Sequence, residues 1–248
     1  MKNLLIYISP DHSFLPEYDK LVRIQIDNSL DLGWKIQDMM LVTNFDFEYA
    51  GVKSIIVGDE NICPFYMYSG KINTLIDLWN KGLIKKGEVY WYHDFDAFQN
   101  EAITEEELEL DEYDVGFTDY GRKPNWNGGS SFIKYGGKEI FEWMRELIYK
   151  DPDSKPIKNH IRAYLTYSDE VAIKHLTDTD YKGINKRIKR MGITYNFNLN
   201  PVTVRDFYEK SQPIKVFHFH KERLPSAEKL ANQRLINFFN KYGYTTMG

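Results

Sequence analysis

A chain of 248 residues with 42% hydrophobic side chains can bury a full core as one large domain or two small ones, so it is expected to be globular. Lysine and arginine number 32 against 36 acids, a net charge of −4, which excludes a general electrostatic grip on nucleic acid or anionic lipid. Cys63 is the one cysteine, which excludes an internal disulfide and a cysteine-cluster metal site and points to a cytoplasmic protein.

The first ten residues, MKNLLIYISP, hold an apolar run too short to span a membrane and without a signal-peptide cleavage pattern; they read as a buried first strand. Further apolar runs at residues 39–42, 54–57, 89–92 and 115–117 alternate with helical patterns, the rhythm of an α/β sheet. Between them, Ile72, Leu75, Ile76 and Trp79 recur at helical spacing, with Ser69 as the expected cap and Gly82 as the expected stop. The acidic run from Glu101 to Asp114 reads as a solvated loop or helix face. A second helix is expected from Gly137, with Ile140, Phe141, Met144, Leu147 and Ile148 on one face, ending before the loop DPDSKP. A third opens at Ser168, and a fourth follows Pro225 and Ser226, carrying Leu230, Leu235, Ile236 and Phe239 toward Gly243. The stretches ITYNFNLN and IKVFHFH alternate like strands. With no linker that splits the chain, the expected fold is one mixed α/β domain.

Four stretches carry chemistry. In VYWYHDFDAFQ an apolar strand ends on Asp94, Phe95 and Asp96. In an extended backbone the two carboxylates point to one side, and a hard divalent cation such as Mn²⁺ or Mg²⁺ would relieve their repulsion; a solvated acidic turn is the plain alternative. PNWNGGSSFIKY places Trp126, Asn127, Gly128 and Gly129 ahead of a strand, either for close backbone approach to a ligand or as an ordinary Asn-Gly hairpin turn. Asp169 and Glu170 begin a helix in YSDEVAIKHL, where the helix dipole by itself favours acids. In VFHFHKER, His218 and His220 share one strand face and precede Lys221 and Arg223. Aromatic side chains make up 15% of the chain and suit either a large core or stacking surfaces for sugars and bases.

In this order, a strand ending in Asp-x-Asp, an Asn-Gly-Gly stretch, an Asp-Glu helix start and a late His-aromatic strand with basic residues resemble the GT-A glycosyltransferases, nearest to the metal-dependent galactosyl- and glucosyltransferases of the glycogenin type. The resemblance implies a single Rossmann-like GT-A domain over 1–248, with a mostly parallel mixed sheet flanked by helices, a nucleotide-binding half (1–100), and an acceptor half with a C-terminal helix (101–248). It implies transfer of a sugar, with its anomeric configuration retained, from a nucleotide-diphosphate sugar, UDP-linked by preference, to a glycan or other hydroxyl acceptor. Mn²⁺ or Mg²⁺ would be held by Asp94, Asp96 and His218. Asp94 would also touch the donor ribose; Tyr7, Ser9 and Asp11 would hold base and ribose; Lys71, His220, Lys221 and Arg223 would face the donor. Trp126 to Gly129 would contact substrate, and Asp169 and Glu170 would be catalytic. Neither a nucleic-acid partner nor a transmembrane segment is expected. Two rivals remain: a nucleotide- or sugar-binding protein on the same fold without turnover, and a haloacid dehalogenase-type phosphatase with Asp94 as nucleophile and Asp96 as acid/base.

Overall fold

The computed structural model describes residues 1–121, 125–150, 160–198 and 213–218, together with Asn237, Asn240 and Lys241. The strands are β1 (Lys2–Tyr7), β2 (Met39–Thr43), β3 (Glu48–Tyr49), β4 (Val52–Ile56), β5 (Val89–His93), β6 (Ala97–Gln99), β7 (Val115–Asp119), β8 (Trp126–Lys134), β9 (Ile188–Arg190), β10 (Phe197–Asn198) and β11 (Val216–His218); the short strands β3, β6 and β9 are additions to those expected. The helices are α1 (Pro16–Asp31), α2 (Gly70–Asn80), α3 (Lys138–Ile148), α4 (His160–Tyr167) and α5 (Asp169–Asp178).

Eight strands form one mixed sheet in the order β3-β4-β2-β1-β5-β8-β7-β9. Strands β4, β2, β1 and β5 run parallel, β8 is antiparallel to both β5 and β7, and β9 is parallel to β7. A small second sheet, β10-β11-β6, stands against it. Successive strand residues face opposite layers. Leu4, Tyr90 and Tyr92 pack with Ile72, Leu75 and Ile76 of α2 and with Ile140, Phe141 and Met144 of α3. Leu5 and Leu41 pack the other way, against Leu21, Val22, Ile24 and Ile26 of α1 and against Phe98 and Phe217 of the small sheet. With both faces covered, the parallel strands read as continuous apolar runs.

Several local expectations need correcting. Ser69 has helical backbone angles and makes no cap hydrogen bond; its Oγ donates to the Tyr167 carbonyl at 2.6 Å, tying α2 to α4. Gly82 ends the turn after α2 as expected, with a φ of +68° that suits glycine. Asn127, Gly128 and Gly129 lie inside β8 and not ahead of it. Pairing with β7 slips there, from Phe117 opposite Ser131 to Thr118 opposite Asn127, so the stretch is a bulge rather than a hairpin turn. The acidic run is a loop with one 3-10 turn at Glu106–Leu108, anchored by buried Leu108 and Leu110. Helices α1 and α4 complete the layers without having been anticipated. The loop expected at DPDSKP and most of the helix expected after Pro225 fall outside the described residues, although Asn237, Asn240 and Lys241 are helical. Among the described residues no helix is long and apolar enough to cross a membrane.

Trp91 is fully buried at the centre of β5. It stacks on His93 at 4.0 Å and on Trp34 at 6.1 Å, and its indole N–H donates to Ser130 Oγ at 2.9 Å. Trp91→Ala is therefore expected to lower stability by about 3–5 kcal/mol, measured by equilibrium urea unfolding.

Candidate active site

The two acids leave β5 in a tight turn, not in the extended backbone expected: the Ala97 N–H donates to the Asp94 carbonyl at 3.0 Å. Phe95, between them, is buried and stacks on Tyr7 at 5.8 Å beside Phe14 and Tyr18. From α1, the buried Gln25 amide donates to the carbonyls of Phe95 (2.7 Å) and Ala97 (3.0 Å). The turn is thus clamped from the core side while both carboxylates stay partly exposed, at 32% for Asp94 and 22% for Asp96. His93 stands behind them. Its Nε2 meets Asn3 Oδ1 at 2.9 Å and its Nδ1 meets the Asp94 carbonyl at 3.1 Å. Burial pushes its pKa down to about 4, which keeps the ring neutral beneath the acids.

Antiparallel pairing of β11 with β6 sets His218 opposite Ala97 and brings its Nε2 to 3.1 Å from Asp96 Oδ1. One ligand atom from each of Asp94, Asp96 and His218 lies within 4.8 Å of the others. Donors about 2.1 Å from a shared Mg²⁺-sized ion stand about 3 Å apart when adjacent and about 4.2 Å apart when opposite. The cluster therefore closes on such an ion with small side-chain movements, and an oxygen-oxygen-imidazole set suits Mn²⁺ as well as Mg²⁺. Burial by itself would lower the pKa of His218, but the adjacent Asp96, together with Asp94, outweighs it and raises the value above the ordinary 6.5.

Lys71, in the first turn of α2, sets its Nζ 2.9 Å from Asp169 Oδ2, 3.0 Å from the Gly128 carbonyl and 3.5 Å from Asp94 Oδ1, over the Tyr92 ring. Burial opposes its charge, yet Asp169 and Asp94 hold its pKa well above the lysine range. Asp169 and Glu170 begin α5 behind a cap in which Ser168 Oγ accepts from the Val171 N–H, so neither acid is needed as the cap. Their surroundings differ. Asp169 uses Oδ2 for Lys71 and leaves Oδ1 without a hydrogen-bond partner among the described residues. Glu170 accepts from the Gly128 N–H (2.9 Å) and the Tyr120 hydroxyl (3.1 Å) on Oε1, and from the Tyr164 hydroxyl on Oε2. Burial, then the neighbouring Asp169, raises its pKa.

The glycines make room for these side chains. A Cβ on Gly128 would lie 2.2 Å from Asp169 Oδ2, and one on Gly129 would lie 2.3 Å from His218 Cε1. Gly129 also accepts from the Asp94 N–H at 2.9 Å and donates to Asn127 Oδ1 at 2.9 Å. Bare backbone at β8 is thus what lets both site residues approach.

The remaining expected residues are placed as follows. Tyr7 belongs to the aromatic cluster around Phe95, and its hydroxyl oxygen accepts from the Leu15 N–H at 3.4 Å. Ser9 is buried, with its N–H and carbonyl both paired to the Asn44 amide and its Oγ accepting from the Asp11 N–H; Asp11 is exposed. Trp126 is packed against α5, its indole N–H donating to Thr177 Oγ1 at 2.9 Å and Arg190 lying 4.6 Å over its ring. His220, Lys221 and Arg223 lie outside the described residues. Tyr92, whose hydroxyl donates to Asp94, together with Tyr120, Tyr164 and Gln25, escaped the sequence reading. They come from three separate elements and, for Tyr120, the residue just after β7, and no spacing or motif marks them.

No protein-family model matches the chain, and no curated protein matches it in sequence. Solved structures do share its fold. The galactosyltransferase LgtC, in complex with donor and acceptor sugar analogs, aligns at a TM-score of 0.57 and 14% identity over 100% of this chain and 97% of that one. The apo glycosyltransferase GlyE of Streptococcus pneumoniae TIGR4 aligns at 0.57 and 13% over 100% and 60%. A glycosyltransferase involved in glycosylation of the major capsid of PBCV-1 aligns at 0.51 and 11% over 88% and 93%. The fold is the GT-A fold that the motif order led us to expect.

Gly129→Ala is expected to push His218 off Asp96. Because that carboxylate holds the imidazole pKa up, an NMR titration should show the His218 midpoint moving down in the variant; an unmoved midpoint would mean the bulge absorbs the methyl group.

Proposed function

We propose that this protein is a metal-dependent glycosyltransferase that moves a sugar from a nucleotide-diphosphate sugar, a UDP-sugar by preference, to a hydroxyl of a glycan or other acceptor. The observation that carries this reading is the convergence of Asp94, Asp96 and His218 within 4.8 Å. Asp94 and Asp96 follow the C-terminal end of a central parallel strand, where open α/β sheets hold ligands. LgtC, of the same fold, is a galactosyltransferase solved with donor and acceptor sugar analogs, which favours donor and acceptor sites here.

The reaction separates a sugar with oxocarbenium character from a diphosphate that gains negative charge, so stabilising that charge is the main task. A divalent cation, Mn²⁺ or Mg²⁺, held by Asp94, Asp96 and His218 would neutralise the departing diphosphate. Asp94 also reaches toward the donor ribose. Tyr7, Ser9 and Asp11, on and after β1 in the nucleotide-binding half (1–100), line the path for base and ribose. In the acceptor half (101–248), Asn127, Gly128 and Gly129 bring β8 backbone up to the sugar beside Trp126, and His220, Lys221 and Arg223 supply positive charge for the diphosphate. Asp169, with Oδ1 unpartnered among the described residues, steadies the positive sugar. Lys71 prevents that acid and Asp94 from repelling each other. No carboxylate base is required when the departing diphosphate takes the acceptor proton, and the sugar then keeps its anomeric configuration.

Asp96→Ala is expected to abolish Mn²⁺-dependent binding of UDP-glucose or UDP-galactose while the protein stays folded, since it removes one of several clustered like charges. Thermal shift reads this directly: a donor at a hundred times its dissociation constant adds about 2.7 kcal/mol to the wild type and nothing to the variant. Full transfer in excess chelator would refute the metal requirement. Binding without any donor cleavage would favour the inactive binding protein.

The raised pKa of His218 sets the pH dependence. A metal needs the neutral imidazole, so protons compete with it from a pH above the ordinary histidine value downward. Mn²⁺ affinity, followed by calorimetry, should fall as pH drops through that region, and His218→Ala should remove this part of the dependence.

A further inference from the structure

Asp169 and Glu170 are neighbours in sequence with opposite hydrogen-bonding situations. We propose that Glu170, Tyr120 and Tyr164 form one positioning unit that grips the Gly128 peptide, leaving Asp169 as the carboxylate of the pair that faces the reacting sugar. The second half of this assignment rests on the glycosyltransferase reading above.

A carboxylate has roughly four acceptor sites, and Glu170 already meets three donors: the Gly128 N–H, the Tyr120 hydroxyl and the Tyr164 hydroxyl. The Tyr120 hydroxyl also lies 3.4 Å from Oε2, so both oxygens are engaged. These donors come from the residue just after β7, from β8 and from α4. Glu170 therefore joins three elements to the start of α5, where the helix dipole favours its charge. Both tyrosine pKa values are raised, by burial and then by Glu170 itself, which keeps the two hydroxyls protonated as donors.

The grip falls at a consequential place. Glu170 holds the N–H of Gly128, while Lys71 holds its carbonyl at 3.0 Å. The peptide is thus fixed from both sides by charge-assisted hydrogen bonds, the stronger kind. Directly over it lies Asp169 Oδ2, and the next residue, Gly129, lies against His218. A shift of β8 here would move both neighbours, and small misplacements of reacting groups are costly in rate. Glu170 acts through this backbone and is a positioning residue. Asp169, with an open Oδ1, is the catalytic candidate.

The test pairs a spectroscopic with a kinetic readout on the full chain, using UDP-glucose and UDP-galactose with Mn²⁺ as donors. Four variants are compared: Glu170→Gln, the double change Tyr120→Phe with Tyr164→Phe, all three changes together, and Asp169→Asn. Tyr164→Phe alone is the milder substitute if the double variant does not fold. In the wild type the Gly128 amide should be protected from hydrogen exchange, and both Glu170→Gln and the tyrosine variant should shift its NMR resonance and reduce that protection. Each should lower kcat by about tenfold with little change in donor KM, and the triple variant should lose no more than either, because members of one unit do not add. Asp169→Asn should lower kcat by at least about a hundredfold, the size expected for a positioned catalytic group, with the Gly128 amide still protected from exchange. If Glu170→Gln lowers kcat while the amide stays put, or if the losses multiply in the triple variant, Glu170 acts on substrate and the proposal is wrong. A wild type that neither binds nor cleaves these donors overturns the glycosyltransferase reading and the role of Asp169 with it; the Gly128 amide still decides whether the unit positions β8.

Discussion

A lysine ammonium with little solvent contact, Lys71 Nζ, stands between Asp94 and Asp169, and the site could not be assembled without a positive charge there. Asp94, Asp96, Asp169 and Glu170 crowd one end of the sheet. Two like charges about 4 Å apart repel by about 4 kcal/mol at the effective dielectric of a protein surface, so the acids would drive the elements apart. Lys71 reverses the sign of two of those interactions and also binds the Gly128 carbonyl. One side chain from α2 thereby joins the end of β5, the bulge in β8 and the start of α5.

The rest of the site depends on how closely these elements approach. Asp169 and His218 come to the β8 backbone at distances that leave no room for a Cβ on Gly128 or Gly129. The small sheet supplies His218 because β11 pairs with β6, the strand that follows the acidic turn directly. Segments more than a hundred residues apart in the chain meet there through three residue pairs and a shared apolar core that includes Phe98 and Phe217. On the opposite side, Gln25 and Phe95 fix the turn from within the core. The acids can then stay partly exposed on a rigid support, a requirement for any site that must hold a charged ligand in one place.

Partner saturation separates the acids by role. Asp94 is engaged by the Tyr92 hydroxyl and Lys71, Asp96 by His218, and Glu170 by three donors, while Asp169 keeps one oxygen open. A cluster of carboxylates that looks redundant in the sequence is therefore a set of groups with distinct partners. Differences in partner, more than differences in residue type, decide which acid keeps an acceptor site open.

The sequence by itself determined the α/β layering, because apolar runs with a period of two and stripes with a period near 3.6 dictate strands and covering helices whatever the surroundings. It also determined the Ser168 cap and the identity of the Asp94, Asp96 and His218 cluster, through residue types in an order shared with a known fold. Tertiary structure decided what local rules could not reach. Ser69 looked like a cap, but the 3-10 turn at Met67–Ser69 gives it helical backbone angles, which an N-cap does not have, and its hydroxyl donates to the Tyr167 carbonyl instead. Asn127-Gly128-Gly129 looked like a turn, but pairing on both sides of β8 drew it into the sheet as a bulge. The partners of Glu170 lie 42 and 50 residues away for Gly128 and Tyr120, and contacts at such separations leave no periodic trace in the chain. Which of two adjacent acids is held and which is open was decided by that packing, because a hydrogen bond depends on where a donor ends up in space and not on its place in the sequence.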